Sequence, residues 1–412
     1  MRIFNGKKAV FLVGSYYPKY SAVGRCQSTI CKEMIDNGFE VSVIAGNFNC
    51  PEDEDNLIIG EYGEKITRIS VAKYIFQTNI KVKIIRFIIR FIKRIFSFNS
   101  LQKHIVVSYL NALDKLDHIP DIIIATQCPF ETAYAAMEYK KKHPKCYVIC
   151  CLYDMFANSK SLYMCHLEKV IKRRHNYALE CDVFKSIDKI AYVPSWNNYF
   201  KNKHSDYIEK SIQIEHPLVI YPKELIGLKQ NVNVTTKKTV FMFSGVLIRD
   251  YVEAKDFIDI IKSSKVLQDA TYIFYSQGNA VKDIECVYEL DIHIQNWIPH
   301  NELVIKQFQA DILVNIAEKT GQQISSKIFE YMCIGKPILH IYYVDNDVNL
   351  YYLRKYSLAL CIKIKPDSIL ENGRSIEKWL NNVKGKMCLF DNVAKNFKEL
   401  TPQYICTQIL TM

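Results

Sequence analysis

The chain has 412 residues, of which 49% are hydrophobic, 14 are glycine and 12 are proline. This composition excludes a disordered or fibrous chain, and the length suits two hydrophobic cores of ordinary domain size. The 54 basic residues outnumber the 43 acidic ones and give a net charge of +11. Such a charge favours an anionic partner: a phosphorylated small molecule, a membrane surface or nucleic acid.

Targeting and metal-binding signals are not evident in the sequence. The 14 cysteines lack the paired spacing of metal ligands, so we expect reduced thiols in the core. The apolar run before Gly14 is too short for a secretory signal, and no stretch approaches the roughly 18 apolar residues that cross a membrane. These features predict a cytoplasmic protein.

Short apolar runs alternate with helical patterns along the chain, which is typical of a parallel sheet covered by helices. The first series of predicted strands covers residues 9–13, 41–45, 122–125, 147–151 and 190–193, with helices over 28–37 and 132–142. The second series covers residues 240–243, 272–275, 292–294, 312–314, 338–342 and 358–362. The polar stretch 221–239 has no sustained period and suits a linker between two domains.

Two doubly wound α/β domains in tandem would create an interdomain cleft, and ligands of such sheets bind beyond the carboxyl ends of the strands. Ordinary dinucleotide binding would need G-x-G-x-x-G after the first strand. That loop reads "GSYYPKYSAVGRCQ", which argues against a dehydrogenase.

The segment "KVKIIRFIIRFIKRIFSF", residues 81–98, predicts a helix with a basic stripe that includes Arg86 and Arg90 and a wide apolar face that includes Phe87 and Phe91. Such a helix suits the plane of an anionic membrane. A core-facing helix with a solvated basic side is the alternative. The basic run 169–175 would extend the same positive surface.

The segment "GQQISSKIFEYMCIGKPILHIYY", residues 321–343, predicts a polar loop, a short amphipathic helix and a buried strand. Ser325 or Ser326 is the expected N-cap, and Gly335 ends the helix. Amides at such a helix start can cradle a diphosphate, and Glu330 one turn later could accept hydrogen bonds from a ribose diol. A solvated surface glutamate is the alternative.

The stretch "SSKIFEYMCIGKPIL" resembles the signature of family 4 glycosyltransferases, which have the GT-B fold. The resemblance implies two Rossmann-like domains facing a cleft: residues 1–219 on the acceptor side, 220–395 on the nucleotide-sugar donor side, and a helical segment 396–412 that packs back on the first domain. In that family two glutamates lie eight positions apart, the first near the donor sugar and the second on the nucleotide ribose. Glu330 matches the second, whereas Gln322 replaces the first and carries no charge.

Other family features are matched at lower specificity. The stretch 239–262 is similar to the opening of the family's donor domain, with Gly245 followed by Arg249 as the first candidate for a diphosphate contact and Lys327 as the second. A surface arginine is the alternative for Arg249. Gly24 resembles the family's glycine-rich loop, or else belongs to a simple strand-to-helix turn.

The stretch "YVICCLYDMFANSK", residues 147–160, is similar to the family segment in which a strand ends in a basic residue and an aspartate. Asp154 matches the acid, and Tyr153 stands where many relatives have histidine. Such a carboxylate can orient a sugar hydroxyl or accept the acceptor's proton, so Asp154 is a candidate catalytic residue. Gln322, at the position of the family's first glutamate, is the other candidate. Helix capping is the alternative for Asp154.

The resemblance implies a retaining glycosyltransferase that uses a nucleotide-sugar donor and needs no cofactor or metal. We expect a lipid-linked or glycan acceptor in cell-surface polysaccharide synthesis, such as that of capsule or O-antigen, and a peripheral position at the inner face of an anionic membrane. The alternatives are a nucleotide-sugar epimerase of the same fold and a GT-B binding or scaffold protein that has lost the chemistry. Nucleic acid is not expected as a partner because no reading module is recognisable.

Overall fold

The computed structural model describes residues 6–18, 20–47, 57–71, 100–159, 162–163, 165–227 and 238–411. The chain divides into two compact units. The first domain combines Met1–Pro217 with Glu399–Met412, and the second domain is Leu218–Lys398. The basic helix predicted over 81–98, with Arg86, Phe87, Arg90 and Phe91, lies outside the described residues.

The first domain contains one largely parallel sheet. Its described strands are β1 Lys8–Val13, β2 Glu40–Gly46, β3 Leu57–Ile59, β4 Lys65–Ile69, β5 Ile122–Thr126, β6 Tyr147–Leu152, β7 Lys189–Tyr192 and β8 Ser211–Gln213. They are ordered β3-β4-β2-β1-β5-β6-β7-β8, and only β3 runs antiparallel to its neighbour. The accompanying helices are α1 Ala22–Asp36, α2 Lys103–Asp114, α3 Phe130–Lys142, α4 His166–Ser186, α5 Asn197–Lys203 and, from the C-terminal segment, α14 Pro402–Leu410.

In the described residues of the second domain, six parallel strands form a sheet in the order β11-β10-β9-β12-β13-β14. Its strands are β9 Val240–Val246, β10 Thr271–Gln277, β11 Asp291–Gln295, β12 Ile312–Ile316, β13 Ile338–Tyr342 and β14 Ala359–Lys363. Its helices are α6 Lys255–Lys262, α7 Lys265–Gln268, α8 Lys282–Glu285, α9 His300–Gln309, α10 Ser326–Ile334, α11 Leu350–Leu353, α12 Ile369–Val383 and α13 Phe390–Asn396. Short 3₁₀ helices in the chain are Pro194–Trp196, Ser205–Lys210, Lys223–Leu225, Pro366–Ser368 and Lys398–Leu400.

Continuous apolar runs form the central strands because both faces of a parallel sheet are covered. In β1, every residue from Ala9 to Val13 is buried, and β5 is buried throughout. In the second domain β12 is buried along its whole length. These runs were the strands that the sequence predicted, and the structure confirms the two parallel sheets.

Two local predictions need correction. Helix α1 begins at Ala22 rather than at residue 28, because the hydroxyl of Ser21 accepts a hydrogen bond from the amide of Gly24 at 3.0 Å and so caps the earlier turn. The hairpin β3–β4 was not predicted. Its strands are only three and five residues long, so they give little periodicity.

The strand order of the second domain places a topological switch point between β9 and β12. Numbered within the domain, the order is 3-2-1-4-5-6, the Rossmann arrangement. Chain connections leave in opposite directions on the two sides of this point, which opens a crevice beyond the carboxyl ends of β9 and β12. Helix α10 follows β12 through a loop, so its first turn belongs to this crevice.

Candidate functional site

Helix α10 begins at the switch point of the second domain. Ser325 is its N-cap residue, but its hydroxyl donates to Asn315 Oδ1 at 2.8 Å and makes no capping bond. Ser325 is therefore the N-cap residue as predicted, but without a capping hydrogen bond, and Gly335 ends the helix with a left-handed φ of +83° as expected. Among the described residues, the amides of the exposed Ser326 and of Lys327 have no hydrogen-bond acceptor. Such amides attract anions.

Lys327 points from α10 to the carboxyl end of β9. Its ammonium donates to the carbonyl oxygen of Ser244 at 2.8 Å and lies 5.1 Å from the ring centroid of Phe243. Burial lowers the pKa of Lys327 to about 8, and the nearby carboxylate of Glu330 opposes part of that shift. A desolvated ammonium gains strongly from an added anion, so this group is suited to bind phosphate.

Gly245 makes room for that ammonium. Its φ is +153°, and a β-carbon at this position would lie 2.1 Å from Lys327 Nζ. Any side chain would therefore displace the lysine as well as strain the backbone. The sequence predicted both residues at a diphosphate site, and the structure places them in direct contact.

Glu330 is held by a residue that the sequence did not indicate. Its Oε2 lies 2.6 Å from Nε2 of His300, the first residue of α9, and its side chain is 25% exposed. The carboxylate is thus neither a core group nor a freely solvated one. It stands one turn beyond the open amides of α10, within the same crevice. The sequence signal for His300 is only the turn "PH" at 299–300, which marks a helix start after β11.

The loop before α10 is organised by a buried carboxylate. Glu318 accepts hydrogen bonds from the amides of Thr320, Gln322 and Gln323 and from the hydroxyl of Thr320. Burial alone would raise the pKa of Glu318, but these hydrogen bonds outweigh it and hold the pKa below its usual value. Gln322 itself is exposed. Its position is therefore fixed through the main chain.

Arg249 has a different neighbourhood from the one expected. It follows β9, its side chain is 55% exposed, and its guanidinium donates to Asp283 Oδ1 at 2.6 Å. Arg249 takes no part in the contacts that Lys327 makes with Ser244 and Phe243. The nearby hydroxyl of Tyr251 donates to Gln323 Oε1 at 2.6 Å, so the loop after β9 is joined to the loop before α10.

The predicted residues of the first domain follow two of its strands, Gly24 in the helix after β1 and Asp154 in the loop after β6. Asp154 follows β6 and is exposed, yet partial burial raises the pKa of its carboxyl. Tyr153 is buried, and its hydroxyl accepts from Gln27 Nε2 at 3.1 Å. Gly24 lies inside α1, where a β-carbon would come within 2.0 Å of the Ser15 carbonyl oxygen. Gly24 therefore serves the packing of the β1–α1 turn.

Neither a metal cluster nor a spanning helix is found in the part of the chain that the structure describes. No group of three or more potential ligands could hold a metal ion there. Asp345 and Asp347 have Asp-x-Asp spacing, but Asp345 pairs with Lys363 and Asp347 is buried against His340. None of the described helices combines the length and apolar content that crossing a membrane requires.

Comparison with known proteins identifies the fold. The sequence matches no established family profile and no curated protein at a significant level. Among solved structures, sucrose-phosphate synthase from Thermosynechococcus elongatus gives a TM-score of 0.61 at 11% identity, covering 98% of this chain and 97% of that one. WaaG, a glycosyltransferase involved in lipopolysaccharide biosynthesis, gives 0.56 at 14% identity, covering 98% and 100%.

An epimerase structure is similar to the same extent. UDP-GlcNAc 2-epimerase from Neisseria meningitidis, solved with UDP-GlcNAc, gives a TM-score of 0.56 at 14% identity, covering 98% of both chains. Because the epimerase has the same TM-score and identity as WaaG, these similarities do not distinguish the two activities. Together with the two Rossmann-like sheets, they show that this chain has the GT-B fold.

Proposed function

We propose that this protein is a retaining glycosyltransferase of the family 4 type, which moves a sugar from a nucleoside diphosphate to an acceptor hydroxyl. One observation carries the proposal: the partly desolvated ammonium of Lys327 and the open amides of α10 lie one helical turn from the carboxylate of Glu330. A pyrophosphate fits the first two groups, and a ribose diol fits the third. A nucleoside diphosphate contains both.

The proposed reaction uses this arrangement. The bond between the sugar's anomeric carbon and the diphosphate oxygen breaks, and negative charge develops on the departing diphosphate. Lys327 and the start of α10 stabilise that charge because their dipoles are already oriented. The acceptor hydroxyl attacks the anomeric carbon on the face that the diphosphate leaves, which retains the configuration.

Asp154 and Gln322 have proposed roles at the reacting groups. The raised pKa of Asp154 suits a carboxylate that accepts the acceptor's proton. Gln322 is exposed on a loop whose main chain is held by Glu318. The side-chain amide of Gln322 can therefore contact sugar hydroxyls. A neutral amide cannot compensate positive charge at the anomeric carbon. The negative charge of the departing diphosphate compensates it instead. The proposed reaction needs no bound metal.

We further propose a lipid-linked or glycan acceptor and a peripheral position on an anionic membrane, as in capsule or O-antigen synthesis. Helix α4 supports this part. It buries polar residues, whereas Leu167 and Val170 on its outer side are 54% and 62% exposed beside the basic residues Arg173 and Arg174. Exposed aliphatic groups among cations are suited to the headgroup region of anionic lipids.

The transfer hypothesis is tested with a panel of nucleotide sugars and a lipid-linked acceptor. Release of nucleoside diphosphate that depends on the acceptor supports transfer. A free isomerised nucleotide sugar would instead identify the epimerase that the similar structure suggests. Binding without turnover would identify a scaffold, in keeping with the uncharged Gln322 and the buried Tyr153.

Membrane association has a separate test. Sedimentation with anionic liposomes should retain the wild-type protein and release the variant that carries Leu167→Ser and Val170→Ser. Phe87→Ser with Phe91→Ser tests the other predicted contact in the same assay. Val266→Ser is the control, because Val266 is also 57% exposed but lies in the second domain. Equal binding by all variants would contradict the membrane proposal.

A further inference from the structure

A ring of polar side chains, joined by hydrogen bonds at every step except that from His340 to Asp347, lies beneath the start of α10. It consists of Ser325, Asn315, His340, Asp347 and Asn349, and we call it the Ser325 ring. The hydroxyl of Ser325 donates to Asn315 Oδ1 at 2.8 Å, and Asn315 Nδ2 lies 2.8 Å from His340 Nδ1. On the other side of the imidazole, His340 Nε2 lies 3.5 Å from Asp347 Oδ1 and makes no hydrogen bond to it.

The ring closes through Asn349. Its side-chain amide donates to Asp347 Oδ1 at 2.9 Å, and its own Oδ1 accepts the main-chain amide of Ser325 at 2.8 Å. The same amide group also reaches the carbonyl oxygen of Gln323 at 3.2 Å. Ser325 is thus held at two points, through its hydroxyl by one strand and through its amide by the loop after another.

Burying the polar groups of this ring costs desolvation free energy. His340 is fully buried, and Asn315, Asn349 and Asp347 are at most 4% exposed. Apolar residues of similar volume would pack here without the cost of desolvating a carboxylate and three polar groups. What polar groups provide instead is a single geometry, because each hydrogen bond fixes a direction as well as a distance.

The geometry that the ring fixes is that of the anion site. Asn349 occupies the amide of Ser325, so the next two amides, those of Ser326 and Lys327, are the ones left open. Asn315 belongs to β12 and His340 to β13, so the helix start is tied to the two strands beside it. A rotation of the first turn would move both amides and the ammonium of Lys327.

We propose that the Ser325 ring consists of positioning residues for the diphosphate: it holds the first turn of α10 at the orientation in which its amides and Lys327 bind phosphate together. This inference rests on the proposed function and adds four residues that the signature stretch does not contain, namely Asn315, His340, Asp347 and Asn349. His340 acts here through its neighbours and not on the substrate.

The test measures two properties of the intact protein and its variants: the affinity for UDP, GDP and ADP, and the free energy of unfolding. Ser325→Ala and Asn349→Ala each break one attachment of the helix start and should weaken binding of the preferred nucleotide about fivefold to thirtyfold. Ser325→Thr keeps the hydroxyl and should stay within about twofold of wild type. Tyr272→Phe is the matched control, because it removes a buried hydrogen bond of 2.7 Å to Leu267 elsewhere in the domain.

Hydrogen exchange in the ligand-free protein provides a second readout. Asn349→Ala should accelerate exchange at the amides of residues 325–328, whereas Tyr272→Phe should not. If the ring variants change neither affinity nor exchange at these amides while Lys327→Met abolishes binding, the positioning role is refuted and the diphosphate site stands. If wild type binds no nucleoside diphosphate, the proposed function fails, and unchanged exchange in Asn349→Ala would separately refute the ring's hold on the helix.

Discussion

Substituting alanine for Gly245 should disable the diphosphate site while leaving the fold in place. The new β-carbon would lie 2.1 Å from Lys327 Nζ, whereas ordinary contact begins at 3.4 Å. The ammonium must therefore move by at least about 1.3 Å. It is the far end of a flexible side chain, so it can move without disturbing the sheet.

The expected loss follows from the displacement. At an effective dielectric constant near 20, an ammonium about 4 Å from a phosphate charge gains about 4 kcal/mol, and moving it by about 1.3 Å removes about 1 kcal/mol. The hydrogen bond from Lys327 to Ser244, which orients the ammonium, is lost as well. We therefore expect nucleoside diphosphate affinity to fall about fivefold to thirtyfold.

Isothermal titration with the preferred nucleoside diphosphate measures this loss, and Gly385→Ala is the control. Gly385 has a φ of +72°, and a β-carbon there would meet nothing within 4 Å. Both variants pay for backbone strain, about 1–2 kcal/mol, but only Gly245→Ala displaces the lysine. Equal affinities in the two variants, at comparable unfolding midpoints, would refute the assignment of Lys327 to the diphosphate.

Three further predictions concern the same crevice. Because phosphate binding needs a protonated Lys327 and its pKa is lowered from 10.5 to about 8, nucleoside diphosphate affinity should be full below pH 8 and fall about tenfold per pH unit above it. Lys327→Arg should remove that pH dependence, and a flat wild-type titration curve would contradict it. Glu330→Ala should weaken nucleoside diphosphate binding about tenfold to a hundredfold with a much smaller change in inorganic pyrophosphate binding, since pyrophosphate has no ribose and Glu330 acts on it only through the charge of Lys327; parallel losses in calorimetry would argue against a ribose contact. The lowered pKa of Glu318 means that its stabilisation is present above the ordinary pKa of 4.5 and is lost as pH falls through the folded-state pKa. Glu318→Gln should therefore lower the free energy of unfolding in urea at neutral pH by about 1–3 kcal/mol, whereas the exposed control Glu285→Gln should not.

The sequence predicted most of the fold because the relevant signals are local. The buried strands appear as continuous apolar runs, and α10 is bounded by Ser325 and Gly335, both readable from neighbouring letters. Edge elements were missed for the same reason: β3 and β8 are each three residues long and carry no period. The hydrophobic pattern therefore predicted the longer strands and helices. The short edge strands form through pairing with strands elsewhere in the chain, which the local pattern does not show.

The site was only partly predictable because its support comes from distant positions. Lys327, Gly245 and Glu330 were identified from one signature helix and one strand end. His300, which holds Glu330, lies 30 residues away, and the partner of Asn315 in the Ser325 ring lies 25 residues away. Such pairs share no motif: neighbouring helices bring His300 to Glu330, and neighbouring parallel strands bring Asn315 to His340, only after the sheet has formed.

Arg249 illustrates the opposite difficulty. Its position after β9 suggested a phosphate contact, yet its guanidinium is bound to Asp283 from α8. A strand-to-helix loop presents a side chain toward the crevice or along the sheet surface, depending on turns that residue type does not specify. Lys327 was the weaker candidate from sequence, but its burial and its contact with Gly245 make it the stronger one.

The most direct measurement is a crystal structure of the protein with a nucleoside diphosphate. We predict that the pyrophosphate lies within hydrogen-bonding distance of Lys327 Nζ and of the amides of Ser326 and Lys327, with the ribose hydroxyls on Glu330. A nucleotide bound at another place would contradict the central claim. So would a pyrophosphate that makes no contact with Lys327 while the lysine stays hydrogen-bonded to Ser244.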